Sequence, residues 1–515
     1  MFTDETNNKR IAKNTLLLYL RQLFATCVGL FTSRVFLQVL GVDNVGIYNI
    51  VGGVVSMFSL LNGSLTNSCS RYIAFVIGKG DTDELKKTFS TAIAIHIWLS
   101  LIVWIIAEIA GVWFLNTHLN IPDDRMTAAN VVFQLSLLSF VTKLLNTPYQ
   151  SLIVSYEKMS AFAYMSIFDV TAKLLILYLL YFINFDHLIT YASLLFGVSL
   201  VHIGIYHIYS TRKFEVARNL KIQLHQDLFK DMFSFAGWNL FGQGSMILRN
   251  QGIDVILNIF YGVTVNAAKS IANQMQGTIY SFVSNFQMAI NPQVTKSYAA
   301  GDVARTTALM SQGARFSFYL LLFLSMPFMI QINDILKVWL TVIPDWTALF
   351  VQLSFIYLLC DTLSRFLIIA IMASGKIKTY QIIVGGTKLF AVPLTYIYIR
   401  YWGGTPIAGL LVNIGLEFVC IFQRLYFAKR ILDFNSREYF VNVVLNSWVV
   451  FGLAYIVPLL SLQWSFSDIW SGIIVRTLIC FLSAIIVIGF LGMTCNERQF
   501  MLSYFTKKIK NPKSR

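Results

Sequence analysis

Charge is what this chain has least of. Of its 515 residues 13% are charged and 56% fall in the hydrophobic set, with a mean hydropathy of +0.64. Soluble domains carry about 25% charged residues. With so little polar surface to clothe the apolar side chains in water, composition alone points to a membrane protein. Cysteine is scarce and unpatterned. Cys27, Cys69, Cys360, Cys420, Cys480 and Cys495 form no CxxC spacing and mostly lie in apolar runs, so they read as core or lipid-facing thiols instead of a disulfide or zinc frame. The six histidines are scattered, and His202 and His207 have no third ligand nearby, so no metal site is expected. There is no GxxxxGK[ST] phosphate loop and no paired-carboxylate or metal-ligand spacing. Short loops leave no room for a globular catalytic domain. The chain is therefore expected to be a carrier, not an enzyme, and to need no cofactor.

Long hydrophobic runs are what it has in abundance. The first, from Leu16 to Leu40, is too long for the core of a cleaved leader and lacks a small-residue cleavage pattern after it, so it reads as a permanent span. Candidate spans follow near 14–40, 46–77, 88–114, 128–155, 161–183, 187–209, 231–260, 266–294, 312–333, 346–373, 379–399, 406–427, 441–462 and 468–492, each long enough for the roughly 20 residues a crossing needs. Spans seven and eight are the least hydrophobic. The fold class expected is all-α integral membrane with about 14 transmembrane helices.

The formal charge of +15 would suggest nucleic acid in a soluble protein. Here its distribution sets orientation, and no nucleic acid partner is expected. With the N-terminus cytoplasmic, 25 basic loop and tail residues fall inside, and only Arg125, Lys337 and Arg400 fall outside. That asymmetry over short alternating loops is a positive-inside signal that puts both termini in the cytoplasm. The basic stretch 211–230 reads as a cytoplasmic linker against an anionic leaflet.

A shift of 221 positions lays the first two spans on spans seven and eight. Leu40-Gly41-Val42 meets Tyr261-Gly262-Val263, and Gly80-Asp81 meets Gly301-Asp302. A weaker echo sets Tyr156-Glu157-Lys158 after span four against Gly375-Lys376 after span ten. The organisation expected is two parallel six-helix lobes, 1–210 and 231–430, joined by the 211–230 linker. Two additional spans in 431–495 and a basic tail, 496–515, follow. Parallel repeats of this kind are a transporter plan.

Twelve basic residues lie in or at the edges of spans: Arg21, Arg34, Arg71, Lys143, Lys173, Arg249, Lys269, Arg315, Arg365, Lys388, Arg424 and Arg476. Only five acids accompany them, Glu108, Asp169, Asp254, Asp361 and Glu417, leaving 12 − 5 = +7. An arginine at mid-helix costs about 2.5–3.5 kcal/mol even on the most lenient scale, so such residues face a bundle interior or a wet cavity. Asp169 with Lys173, and Asp361 with Arg365, are four apart and suit structural ion pairs. Arg71, Arg315 and Arg476 are placed to snorkel. Arg21, Arg34, Lys143, Arg249 and Lys269 have no acid three or four residues away and are the candidate anion-binding residues. Arg21 and Arg34 are 13 residues apart, about 19.5 Å along a helix, so they are separate stations. Asn62, Ser64 and Thr66 in span two, Asn239 and Gln243 in span seven, and the amides of span eight suit either a polar substrate or interhelical packing.

The stretch TSRVFLQVLGVDNVGIYNIVGGVVSMFSLLNGSL from Thr32, the opening Lys13-Asn14-Thr15 with Tyr19 and Arg21, NTPYQSLIVSYEKMSAFAY from Asn146 and SGKIKTYQIIVGG from Ser374 resemble the corresponding segments of bacterial polysaccharide biosynthesis proteins. These are the O-antigen and capsule repeat-unit flippases of the multidrug/oligosaccharidyl-lipid/polysaccharide exporter superfamily. The resemblance implies an alternating-access flippase in the cytoplasmic (inner) membrane. It would move a polyprenyl-pyrophosphate-linked oligosaccharide from inner to outer leaflet, with glycan-assembly glycosyltransferases and a polymerase as partners. It also implies pyrophosphate contacts at Arg21, Arg34 and Arg249, with Lys269 and Lys143 behind them. Coupling to a proton or sodium gradient, or to the membrane potential, is implied, with Glu108 and Asp254 as the gating or ion-linked acids. The alternatives are a multidrug exporter of the same superfamily and a membrane glycosyltransferase or polymerase.

Overall fold

The computed structural model describes residues 5–499 except 57, 119–120, 219, 341–342, 433, 465, 467 and 496. The side chain of Arg34 and the basic tail from residue 500 lie outside the described residues. Every described element is helical: α1 (Glu5–Ser56), α2 (Ser59–Lys79), α3 (Thr82–Ile106), α4 (Val112–His118), α5 (Asp123–Ser155), α6 (Met159–Leu180), α7 (His187–Lys213), α8 (Gln226–Tyr261), α9 (Val263–Ala299), α10 (Val303–Ile330), α11 (Ile332–Trp339), α12 (Thr347–Ala373), α13 (Lys378–Leu389), α14 (Ala391–Trp402), α15 (Ala408–Leu432), α16 (Ser436–Tyr439), α17 (Asn446–Leu460) and α18 (Ile469–Val487). Ten stretches among the described residues are long and apolar enough to cross a membrane. The other spans expected from the sequence fall on α1, α2, α8 and α9, which carry more polar residues.

The glycines that align at the 221-residue offset take matching backbone conformations. Gly41 breaks α1 at φ 78°, ψ 163°, and Gly262 separates α8 from α9 at φ 77°, ψ −172°. Such angles are nearly closed to residues with a Cβ. Gly80 and Gly301 follow α2 and α9 at φ 77° and 74°. The aspartate after each, Asp81 and Asp302, caps the next helix through its carboxylate. The weaker echo behaves alike: Glu157 and Gly375 both have positive φ, just beyond α5 and α12.

The chain divides into two compact units, one of Lys13–Gln243 and one built from Gly244 onward together with the residues before Lys13. The cut falls within α8 because the first turns of α8 pack on α2. Ser64 and Ser68 donate to the carbonyls of Ala236 and Met232, and Tyr72 meets Phe235 edge to face. The linker before α8 is itself tied down where Ser90 Oγ donates to the carbonyls of Lys221 and Gln223.

In the first unit α5 is central, packing on α2, α3 and α7. At one end Arg125 pairs with Asp186 at 2.6 Å and donates to Asn44 beyond the Gly41 break. In the second unit α12 packs on α9, α10 and α15. Phe355, Leu359, Leu363, Phe366, Leu367 and Ala370 of α12 are wholly buried. Gly313 of α10 lets the ring of Phe366 approach so closely that a Cβ there would stand 2.7 Å from it. Lipid is as apolar as leucine, so fitted contacts of this kind, more than burial from water, hold such helices together. The outward faces, including Trp98, Ile109, Trp113, Leu478 and Phe490, are exposed and apolar, as lipid contact requires.

Candidate functional site

Polar residues in the second unit converge on α12. Tyr357, Asp361 and Arg365 recur every fourth residue along one face of that helix, and Ser364 lies beside them. Glu417 and Arg424 stand two turns apart on α15, and α13 contributes Lys388. Arg424 Nη1 lies 2.5 Å from Glu417 Oε1 and 3.7 Å from Asp361 Oδ1, and it donates to Ser364 Oγ. Lys388 Nζ is 3.2 Å from the other oxygen of Glu417. Arg365 lies 3.8 Å from Asp361, the expected pair four residues apart. Glu417 and Arg424 are both 1% exposed.

Arg249 of α8 is also buried, at 4% exposure. It bonds only neutral groups: Nη1 donates to Tyr357 Oη at 3.2 Å, and Nε and Nη2 donate to Asn250 Oδ1. Its guanidinium stacks 5.4 Å from the Tyr357 ring centre. Among the described residues no carboxylate lies within 4.0 Å of it. The whole group thus sets four cations, Arg249, Arg365, Lys388 and Arg424, against two carboxylates, Asp361 and Glu417. A guanidinium held by neutral partners in a dry interior attracts an anion far more strongly than it would in water.

The remaining candidates are dispersed. Lys269 of α9 is bound to Asp254 of α8 at 2.6 Å, so its charge is balanced across the Gly262 turn. The sequence offered Lys269 as an uncompensated cation and Asp254 as a separate gating acid, and the structure makes them one pair. Arg21 belongs to the first unit, where it donates to Gln22 and lies 5.3 Å over the ring of Phe162. Lys143, in the same unit, is exposed with no carboxylate at ion-pair distance among the described residues. Arg34 is in α1, with its side chain outside the described set. Glu108, also in the first unit, accepts from Gln134 at 2.7 Å.

Two arginine readings change as well. Arg315 is not snorkelling but buried against Glu497 at 2.6 Å, and Arg476 pairs with Asp334 at 2.8 Å. Lys173 meets Asp169 at 2.8 Å as expected. The sequence named Lys388, Glu417 and Arg424 as charges within spans but did not join them. The two-turn spacing of Glu417 and Arg424 is the signal that would have placed both on one face of α15.

No family model matches the sequence, and no curated protein matches it in sequence either. Solved structures do match in fold. One is an outward-facing multidrug resistance MATE family transporter of the MOP superfamily, with TM-score 0.71, 13% identity, and 83% of this chain and 97% of that chain covered. Another is the MATE transporter ClbM in complex with Rb+, with TM-score 0.68, 13% identity, and 83% and 96% covered. A third is a MOP superfamily transporter from Pyrococcus furiosus, described as having a binding pocket of reverse polarity that suggests a different function. It gives TM-score 0.67, 12% identity, and 82% and 97% covered. The chain thus has the MATE-type fold of a multi-pass membrane protein.

The narrower expectation drawn from the resemblance, a lipid-linked oligosaccharide flippase serving O-antigen or capsule, is overturned by these matches to multidrug transporters. Of the cations expected to contact pyrophosphate, Lys269 is paired with Asp254, and Arg249 donates to Tyr357 and Asn250.

Proposed function

We propose that the chain is a secondary carrier of the MOP type in the cytoplasmic membrane. It exports small amphipathic solutes by alternating access, is driven by an ion gradient and performs no covalent chemistry. The fold shared with multidrug carriers supports the transport class. The observation that carries the substrate preference is Arg249, a buried guanidinium held by Tyr357 and Asn250 with no carboxylate at ion-pair distance. A carrier selecting organic cations would place unpaired acids there, so the reading favours amphipathic organic anions. Ligand polarity is set by such residues even where the fold is common, because the fold supplies the motion and the site supplies the chemistry.

The test uses purified protein in proteoliposomes with carboxyfluorescein as the anionic probe and ethidium as the cationic one. Gradient-driven uptake of carboxyfluorescein, lost in Arg249→Gln, is the expected result. Uptake of ethidium alone would turn the reading to an ordinary cationic drug exporter. Transport of neither by a correctly folded protein would reject both.

A further inference from the structure

The last helices of the chain enclose a second polar space in the unit that holds the Arg249 cluster. A cavity of about 530 Å³ lies between the start of α10, the run from Phe434 to Asn446 and the end of α18. That volume is in the range of small-molecule sites. Two of its walls are π-helical turns, Phe440–Leu445 leading into α17 and Ile488–Gly492 ending α18. Such turns are rare and are found frequently at functional sites. Asn442 and Val443 of the first turn and Leu491 and Gly492 of the second line the cavity.

The walls are held by bonds of their own. Arg315 Nη2 meets Glu497 at 2.6 Å, and Nη1 donates to the Gly492 carbonyl at 3.3 Å. Tyr319 Oη donates to the same carbonyl at 3.1 Å. Glycine permits that approach, since a Cβ on Gly492 would stand 2.9 Å from the Tyr319 ring. On the other side Tyr439 Oη donates to the Leu363 carbonyl at 2.7 Å, and Asn435 Oδ1 accepts from the Glu438 amide at 3.2 Å. These bonds leave a second set of polar groups unused. Thr307, Ser311 and Gln312 of α10 line the cavity together with Asn442 and Asn446. Among the described residues none of these five side chains hydrogen-bonds within the protein, and Thr307 Oγ1 and Gln312 Oε1 are buried without a partner. Glu438, exposed on the same lining, has no basic group within 4.0 Å among the described residues, whereas the charge of Arg315 is met by Glu497.

Amides and hydroxyls supply both donors and acceptors, and the lone carboxylate adds negative charge. An anion would be repelled here, and an apolar molecule would leave the polar groups unpaired. We propose that this cavity binds a small molecule that carries a primary ammonium beside hydroxyl or amide groups. Glu438 takes the ammonium, and Gln312, Asn442 and Asn446 take its neighbours. The polarity is opposite to that at Arg249, which makes this a separate site, and binding here does not depend on what the carrier moves. The cavity lies at the end of the unit that the basic-residue count assigns to the cytoplasm, near Arg305, Arg437 and Arg498. A soluble amino alcohol and the ethanolamine headgroup of a phospholipid both present this chemistry. Val441, Leu445 and Leu491 beside the cavity are exposed and apolar, so the membrane is within reach.

The test is ligand-observed saturation-transfer NMR on the full chain in phosphatidylcholine nanodiscs at about pH 7, read against empty nanodiscs. The probes are serinol (glycerol with its central hydroxyl replaced by an amine), glycerol and glycerate. Serinol should bind, glycerol should bind about tenfold more weakly for want of the charged hydrogen bond, and glycerate should not bind. Glu438→Gln should bring serinol down to the level of glycerol, and Asn446→Leu should weaken both. Glu438 is exposed and Asn446 is half-buried, so both variants should unfold at the wild-type temperature, which a thermal scan checks. Nanodiscs of phosphatidylethanolamine separate the two sources: loss of serinol binding there identifies the lipid headgroup as occupant, and retention identifies a soluble amine. No serinol signal from the folded wild-type protein overturns the site. So does glycerate binding as well as serinol, or serinol binding unchanged in Glu438→Gln.

Discussion

Replacing Glu417 by glutamine tests the buried cluster most severely. The carboxylate sits between Arg424 at 2.5 Å and Lys388 at 3.2 Å, with 1% of its surface exposed. Glutamine keeps the size and removes the charge, so two buried cations lose their principal counter-ion. Arg424 retains Asp361 at 3.7 Å and Ser364, while Lys388 has no second carboxylate at ion-pair distance among the described residues. Breaking a buried pair from one side costs about 3–5 kcal/mol, against about 5–15 kcal/mol for whole folded proteins. At about 2–4 °C per kcal/mol for a unit of this size, the expected fall in melting temperature is on the order of 10 °C. The assay is thermal labelling by a thiol-reactive fluorogenic dye in nanodiscs, since Cys69, Cys360, Cys420 and Cys480 are buried and react only on unfolding. Exposed Cys27 and Cys495 are first changed to serine. Lys79→Gln supplies the control, because its pair with Glu84 is exposed and worth at most about 1 kcal/mol. Adding Lys388→Met to Glu417→Gln should restore part of the loss, since it removes the cation left without a partner. A Glu417→Gln variant as stable as Lys79→Gln, or a double variant no better than the single, would refute the reasoning.

Three further outcomes follow from the geometry. Gly41→Ala and Gly262→Ala should each cost about 1–3 kcal/mol by the same thermal assay, because both positions hold backbone angles that only glycine adopts without strain. Gly111→Ala should cost about 1–3 kcal/mol by overpacking against Phe133, and Gly111→Ala combined with Phe133→Leu should recover most of it. Asp186, just before α7, is raised by partial burial, but amide hydrogen bonds from Ile189 and Leu188 and the Arg125 guanidinium outweigh this and hold it below the ordinary carboxylate value. Its contribution to stability is present above the unfolded carboxyl range and is lost as pH falls through the lowered folded value. Asp186→Asn should therefore flatten the acid limb of a stability–pH profile and leave the neutral region nearly unchanged in shape.

Much of the fold is written locally. Hydropathy marks the long helices because each must satisfy its own backbone in lipid, and the glycines at the 221-residue offset mark the breaks because few residues adopt those angles. The pair of Asp254 and Lys269 was legible too. They stand eight residues before and seven after Gly262, so a chain reversal there sets them level. The cluster on α12 was less so. Lys388, Glu417 and Asp361 come from three helices separated by 27 to 56 positions, and only helix packing joins them. Glu108 is intermediate, visible as a lone acid in a greasy run, while the π-helical turn Ala107–Gly111 that carries it and the Gln134 that binds it are tertiary facts.

The count of +7 within the spans shows why the anion site was hard to locate from sequence. It treats a membrane segment as a closed account, with balancing acids sought inside the same brackets. Two of the acids that do the balancing lie at or beyond the helix ends: Asp334 reaches Arg476, and Glu497 reaches Arg315. Long side chains and short connections let an acid outside a span neutralise a cation within it, so the true excess is smaller and more local than the count. Lys173 and Lys269 are matched by Asp169 and Asp254, acids that the count already includes. What survives in the second unit is a single cluster in which four cations share two carboxylates, with Arg249 as the member that no carboxylate touches. An anion drawn to that unit would be held by the guanidinium whose charge is least spent, and in the described structure that is Arg249.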